Sequence, residues 1–314
     1  VKQLEKTLKT EFMSINRRSF IKQSAITGAG LWLSPESVLT DGSKKTLTIL
    51  HTNDVHSRLD PFADGSLKGK GGVAARAKLI QEIRNQEENV LLLDAGDMFQ
   101  GTPYFNIYKG EPEIRAMSMM GYDAGMIGNH EYDAGIENLA TQISRHASFP
   151  IVICNYDFTG TPMEHHYRPY HILNKGGIRV GLTGLGIEMK GLVGEGLYGT
   201  TQYLDPVTEV NKMAAFLKET KKCDLVIVLS HLGDKYEDTK ISDETLAQRT
   251  SNIDLIIGAH THRFFEKPRV YRNTVGKELL VNQVGWGGIN LGRIDFEFSK
   301  GGKKMAQHKN ISVE

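Results

Sequence analysis

From Thr46 onward the chain alternates short apolar runs with amphipathic segments, the pattern of α/β layering around largely buried strands. The runs at 47–50, 90–93, 125–127, 151–153, 180–183, 225–229 and 255–257 are mostly β-branched or Leu and predict strands buried on both faces. Between them, 73–84, 113–120, 136–147, 206–220 and 243–249 carry helical spacing and predict crossover helices, with Pro206 suited to a first helical turn. After His262 the pattern changes. Segments 269–275, 278–284 and 289–298, separated by Asn- and Gly-containing turns, predict an antiparallel meander, and the polar tail from residue 300 reads as loose. No internal repeat, low-complexity tract or composition break marks a second folded domain. The expected layout is therefore one folded domain over 46–300, followed by a polar tail over 301–314.

Nearly every predicted strand ends in His, Asp or Asn. The first runs into His51-Thr52-Asn53-Asp54-Val55-His56, the second into Asp94-Ala95-Gly96-Asp97, and the third into Gly128-Asn129-His130-Glu131. The sixth runs into Ser230-His231 and the seventh into Gly258-Ala259-His260-Thr261-His262. In open α/β sheets ligands bind in the crevice beyond the carboxyl ends of the strands, so these termini can meet at one site, and they bring only oxygen and imidazole donors. Asp54 and His56 are two residues apart, as are His260 and His262, a spacing that points both members of a pair one way along an extended segment. Taken singly, an Asp or Asn after a strand is a turn former or helix cap. Such ends recurring in order, with no thiolate among them, are not explained by packing. Asp94, His51, His165, His166 and His171 are read as structural.

The composition narrows the partners. Of 314 residues, 38 are Lys or Arg and 37 are Asp or Glu, so no global field draws the chain onto a nucleic acid polymer or an anionic membrane. A charged substrate must be held locally. Hydrophobic residues make up 39% and charged residues 24%, which suits a chain that buries a core. The two cysteines, Cys154 and Cys223, lie in or beside apolar runs and are expected to be free thiols.

Residues 1–45 are expected to be an export signal and linker. Asn16-Arg17-Arg18-Ser19-Phe20-Ile21-Lys22 precedes a mildly apolar stretch at 24–33, and the whole resembles a bacterial twin-arginine signal. The stretch is too short for a stable membrane span, and the pattern predicts periplasmic or other extracytoplasmic delivery. Met13 is a candidate start, and no Ala-x-Ala cleavage site stands between Ser34 and Thr46.

The strand-end motifs carry a resemblance. Asp54-Val55-His56, Gly96-Asp97, Gly128-Asn129-His130-Glu131, Ser230-His231 and Gly258-Ala259-His260-Thr261-His262 resemble, in type, order and spacing, those of the calcineurin-like metallophosphoesterases. Within that superfamily the chain looks most like the N-terminal catalytic domain of bacterial 5′-nucleotidases and UDP-sugar hydrolases. That closer likeness rests on His51-Thr52-Asn53-Asp54, Gly71-Gly72, Gly96-Asp97-Met98-Phe99-Gln100-Gly101-Thr102, Glu131-Tyr132-Asp133 and Gly285-Trp286-Gly287-Gly288. It spans roughly 47–298. The implied fold is α/β, a four-layer αββα sandwich of two facing mixed sheets, the metallo-dependent phosphatase fold.

The resemblance implies two divalent ions, drawn from Mn, Zn, Fe or Co, since His, Asp and Asn accept all of these. It places Asp54, His56, Asp97 and His262 on one ion and Asp97, Asn129, His231 and His260 on the other, with Asp97 bridging. Many 5′-nucleotidases carry Gln where His262 stands. Two ions about 3.5–4 Å apart clamp a phosphate, activate a water as hydroxide and stabilise the entering and leaving oxygens. His130 is implied to donate to a phosphoryl oxygen or the leaving alkoxide, oriented by Asp133. The alternative for Asp133 is a cap on the helix beginning near Gly135. The implied activity is hydrolysis of small phosphate monoesters, 5′-nucleotides first. A cyclic-nucleotide phosphodiesterase, a thiosulfohydrolase-like enzyme and a non-hydrolytic metal-dependent binding subunit are the alternatives. Glu131-Tyr132-Asp133 favours the nucleotidase, and a binding subunit has no need of an acid such as His130. The family's C-terminal nucleotide-specificity domain is expected to be absent, its role falling to a separately encoded partner or to none. Tyr104, Phe105, Tyr108 and Trp286 lie near the motifs, as substrate contacts or as packing.

Overall fold

The computed structural model describes residues 44–299 and 302–314. The expected export signal at residues 16–33 lies outside them. The chain runs through β1 (Lys45–Thr52), α1 (Val73–Gln86), β2 (Val90–Asp94), α2 (Pro103–Tyr108), α3 (Glu111–Met120), β3 (Ala124–Gly125) and α4 (Ile136–His146). Next come β4 (Tyr156–Asp157), β5 (His171–Lys175), β6 (Ile178–Leu185), β7 (Gln202–Tyr203), α5 (Pro206–Ala215), β8 (Leu225–Ser230) and α6 (Asp243–Arg249). It closes with β9 (Leu255–Gly258), β10 (Arg269–Arg272), β11 (Glu278–Asn282), β12 (Asn290–Ser299) and β13 (Gly302–Ser312).

Two mixed sheets result. One has the order β13-β12-β1-β2-β3, the other β10-β11-β9-β8-β6-β5, and β4 pairs with β7 in a short separate ribbon. β1, β2 and β3 are mutually parallel, as are β6, β8, β9 and β11, so their carboxyl ends open toward one side of each sheet. The sheets face each other: Leu47, Ile49 and Leu91 of the first share one continuous buried core with Leu182, Ile227 and Ile257 of the second. Strand alternation sends Val226, Val228 and Ile256 the other way, where they meet Val210 and Ala214 of α5 and Leu246 of α6. Ile80 and Ile83 of α1, Ile114 and Met117 of α3, and Leu139 and Ile143 of α4 pack into the first core. Each such side chain, buried in full, stabilises the fold by roughly 1.5–3 kcal/mol. The layers are thus helix, sheet, sheet, helix, as expected.

Local chemistry explains the helix starts. Asp205 accepts the Thr208 N–H at 2.7 Å ahead of Pro206, and Ser242 and Thr245 form a reciprocal capping box at the head of α6. Among the described residues no helix is long and apolar enough to cross a membrane.

Three expectations need correction. The meander is only a hairpin: β10 and β11 pair antiparallel, but the chain then leaves the second sheet and β12 joins the first, antiparallel to β1. Gly285, Gly287 and Gly288, all at positive φ, make that crossing possible. The tail is not loose. Its residues 302–312 form β13, paired along β12, and Val313 is buried, with backbone bonds to Gly71 and Ile289. Polar side chains on an edge strand hid it, because only one face of such a strand needs apolar residues. Finally, 151–153 makes isolated bridges to Gly125 and Arg168 in place of a strand.

Candidate metal centre

Asp54 and His56 follow β1, Asp97 follows β2, Asn129 and His130 follow β3, His231 follows β8, and His260 and His262 follow β9. All sit beyond the carboxyl ends of parallel strands, three from one sheet and two from the other. Their pairs do not converge by strand alternation. Asp54, His56, Asp97, His260 and His262 all have φ between 49° and 69°, in the left-handed region that L residues seldom occupy. The expected extended spacing is therefore replaced by tight left-handed turns, which bring side chains inward where a pleated strand would carry them past the site. Such conformations cost on the order of 1 kcal/mol or more each and persist because surrounding bonds fix them. Asp54 N donates to Gly96 O at 2.9 Å, His56 N to Asp97 O at 3.0 Å, and Gly287 N to Asp54 O at 2.7 Å. Gly128 is required by proximity, since a Cβ there would lie 2.3 Å from Asp97 Oδ1.

The donor atoms fall into two groups sharing one member. Those of Asp54, His56, Asp97 and His262 lie within 4.8 Å of one another, and so do those of Asp97, His231 and His260. Asn129 Oδ1 is 3.0 Å from His260 Nδ1, which places it beside the second group. His56 Nε2 and His262 Nε2 face each other at 2.9 Å, and His262 Nε2 is 3.4 Å from Asp54 Oδ1. His231 Nδ1 lies 2.8 Å from the Ala95 carbonyl, where it can only donate, so in the neutral ring Nε2 carries a lone pair. That buried Nε2 has no aligned hydrogen-bond partner, yet lies 3.0 Å from Asp97 Oδ2 and 3.9 Å from Asp54 Oδ1. Ring nitrogens crowded against carboxylate oxygens call for a positive charge among them, which a proton on His231 or a bound cation supplies. The residues fit a divalent cation of the imidazole-accepting kind.

The same crowding shifts the titrating groups. Burial opposes the charged form of His231, but Asp97 and Asp54 outweigh it and push the ring up to about 10. Burial likewise works against an ionised Asp97, and the facing imidazoles, His231 foremost, hold it well below the carboxylate range instead. Burial and His231 drive His260 down to about 4. Burial lowers His56 as well. The hydrogen bond that His130 donates to the Asp133 carboxylate raises its ring.

His130 borders the open mouth of the centre, a cavity of about 400 Å³ shared with His56, Arg58, Gln100, Gly101, His262 and Trp286. Its Nδ1 meets Asp133 Oδ2 at 2.8 Å. Asp133 does not cap α4; Gly135 holds the N-cap position and offers no side chain. Asp94 turns its carboxylate to Thr52 Oγ1 at 2.6 Å and Gly96 N at 2.9 Å, and His51 lies buried with Nε2 at 2.9 Å from Asn282 Nδ2. Neither belongs to the two groups.

The sequence model of the calcineurin-like phosphoesterases matches residues 47–264. The chain belongs to that family. Relatives agree: it is 34% identical over 287 residues to a 5′-nucleotidase of Rattus norvegicus, covering 84% of this chain and 48% of that protein. To a 5′-nucleotidase of Vibrio vulnificus it is 33% identical over 314 residues, covering 91% and 55%. Among solved structures, a 5′-nucleotidase precursor from Thermus thermophilus superposes with a TM-score of 0.76 at 33% identity, over 86% of this chain and 54% of that one. The chain spans about half the length of the curated relatives it matches.

Around the centre of this phosphoesterase stand residues whose part the sequence did not reveal. Glu131 is fully buried; its Oε2 accepts from Asp97 N at 2.9 Å and Gly128 N at 2.6 Å, and its Oε1 accepts from Phe99 N at 3.0 Å. Burial and the Asp97 charge push its carboxyl up to about 8. Asn53 ties Asp54 Oδ2 to Gly285 O, at 2.7 Å each, and Gln283 donates to Ala259 O at 2.7 Å. An amide or carboxyl next to a donor motif is the only hint sequence offers of such bracing.

Proposed function

We propose that this phosphoesterase holds two divalent cations and hydrolyses phosphate monoesters, 5′-nucleotides foremost. The observation that carries the reading is Asp97, whose carboxylate belongs to both donor groups. Asp54, His56, Asp97 and His262 would hold one ion, and Asp97, Asn129, His231 and His260 the other. Two ions so placed supply a phosphate clamp and an activated water.

The protein's own groups do the rest. Glu131 and Asn53 fix the two loops that carry Asp97 and Asp54. His130, its Nδ1 engaged by Asp133, keeps Nε2 for a phosphoryl oxygen or for protonating the leaving alkoxide, and Asp133 sets the ring orientation. His130 is half-buried at the mouth, where a substrate can reach it while the carboxylates beneath stay dry. The relatives named as 5′-nucleotidases support the substrate class.

The test is turnover of an aryl phosphate, several 5′-mononucleotides, a cyclic nucleotide and an S-sulfonated cysteine substrate with Mn²⁺ or Zn²⁺ supplied. Release of phosphate from the monoesters is expected. Turnover confined to the cyclic nucleotide or the sulfonated substrate contradicts the reading, and ion binding without any turnover makes the chain a binding subunit. We further propose export by the twin-arginine route, on the strength of Arg17-Arg18 and the apolar stretch after them.

A further inference from the structure

The imidazoles of the centre are not all held alike. His231 is oriented by the Ala95 carbonyl and His130 by the Asp133 carboxylate, and His56 is buried beneath the mouth. His262 has none of these supports. Its side chain is 40% exposed, its backbone sits at φ 53°, and among the described residues its Nδ1 has no hydrogen-bond partner. What it has is Trp286, whose ring lies 16° from parallel to the imidazole with centroids 6.0 Å apart.

Trp286 is itself braced from several sides. The flanking backbone is bonded to the centre on both sides, Gly285 N to Arg263 O at 2.9 Å and Gly287 N to Asp54 O at 2.7 Å. Phe62 meets the indole edge-on, at 5.5 Å and 87°. The Arg58 guanidinium lies 4.1 Å from the centroid of Phe62. Offset and edge-on contacts at these distances are the attractive arrangements for aromatic rings, and a cation over the far ring adds to them. A continuous stack therefore leads from Arg58 through Phe62 and Trp286 to His262.

We propose that Trp286 is a positioning residue that sets the ring plane of His262, so that Nε2 faces Asp54, His56 and Asp97. It does by stacking what a hydrogen bond to the second nitrogen does for His231. The inference rests on reading His262 as a cation ligand. An imidazole left to rotate at an exposed position binds its ion less well, and loss of such outer partners typically weakens metal affinity by about 10–100-fold.

The test is chelator competition with Zn²⁺ on the full chain, comparing wild type, Trp286→Leu, Trp286→Phe and His262→Gln, with KM and kcat for an aryl phosphate measured beside it. Two ions should bind the wild type. Trp286→Leu should weaken one of them by about tenfold and leave the other unchanged, while Trp286→Phe, which keeps a flat ring, restores most of the loss. In a His262→Gln background Trp286→Leu should add nothing, which separates orientation of this ring from general damage to the loop. Wild-type affinity at both sites in Trp286→Leu overturns the inference. So does equal weakening of both sites, or a raised KM with metal binding intact, which would make Trp286 a substrate contact. A wild-type chain that binds no ion removes the ligand reading first, and this inference with it.

Discussion

His130 Nδ1 and Asp133 Oδ2 lie 2.8 Å apart on one turn, at the rim of a centre whose other donors point inward. The pair stands beside the two donor groups and belongs to neither. His130→Gln should therefore keep the ion content near wild type while kcat falls by about 10²–10⁴-fold, the range of a lost acid–base group. Asp133→Asn should give a smaller fall in kcat, again with ions retained. Metal analysis beside steady-state kinetics checks this, and loss of an ion from His130→Gln would make His130 a ligand.

Glu131 braces the loop that carries Asp97. Its two oxygens receive three backbone N–H groups from the loops after β2 and β3. A Gln side chain has a single acceptor where the ionised carboxylate has two, so above pH 8 Glu131→Gln leaves at least one buried N–H facing an amide NH₂, at a cost of about 1–3 kcal/mol. Thermal melting should show the drop, and chelator competition should show weaker ion binding, because Asp97 N is one of the three donors. An unchanged melting temperature would mean that the loops hold without it.

The pH dependence of stability offers a separate check at Asp94. Burial outweighs the bonds from Thr52 and Gly96 and raises its carboxyl from 3.8 to about 7. Between these values the folded chain keeps a proton that the unfolded chain has released, so the group's contribution falls as pH rises. The slope is at most about 1.4 kcal/mol per pH unit. Asp94→Asn should flatten the loss of stability between pH 4 and 7 relative to wild type, as read from urea unfolding at several pH values. Parallel curves for the two proteins would show that Asp94 is ionised in the fold.

How far the sequence reached depends on the kind of signal. The strands at 225–229 and 255–257 and the helices at 136–147 and 243–249 were legible because burial on a fixed period writes itself into residue type. β13 was not, since an edge strand carries Lys303 and Lys309 with few apolar residues. The donors at strand ends were visible as residue types, but their approach through left-handed turns at Asp54, His56 and His262 was not, because backbone strain leaves no mark when the residue is not glycine. Glu131 and Trp286 escaped for a further reason: their roles are relations to residues distant in the chain.

Export can be tested apart from catalysis. The translocase reads two guanidiniums whose planar fork Lys does not reproduce, so Lys at both Arg17 and Arg18 should hold the chain in the cytoplasm. Fractionation of cells producing each version measures it, and undiminished periplasmic delivery of the variant would make the arginine pair incidental.

In the proposed centre one carboxylate serves two ions, and Asp97→Asn removes that shared ligand. A neutral amide has one oxygen to offer, and it cannot hold two cations at bridging distance. Metal content per chain should be measured on the purified wild type and variant after equilibration with Zn²⁺ or Mn²⁺, together with aryl phosphate turnover. Two ions are expected in the wild type, and in Asp97→Asn the loss of at least one ion and of activity. Two ions and full turnover in Asp97→Asn would show that Asp97 does not bridge.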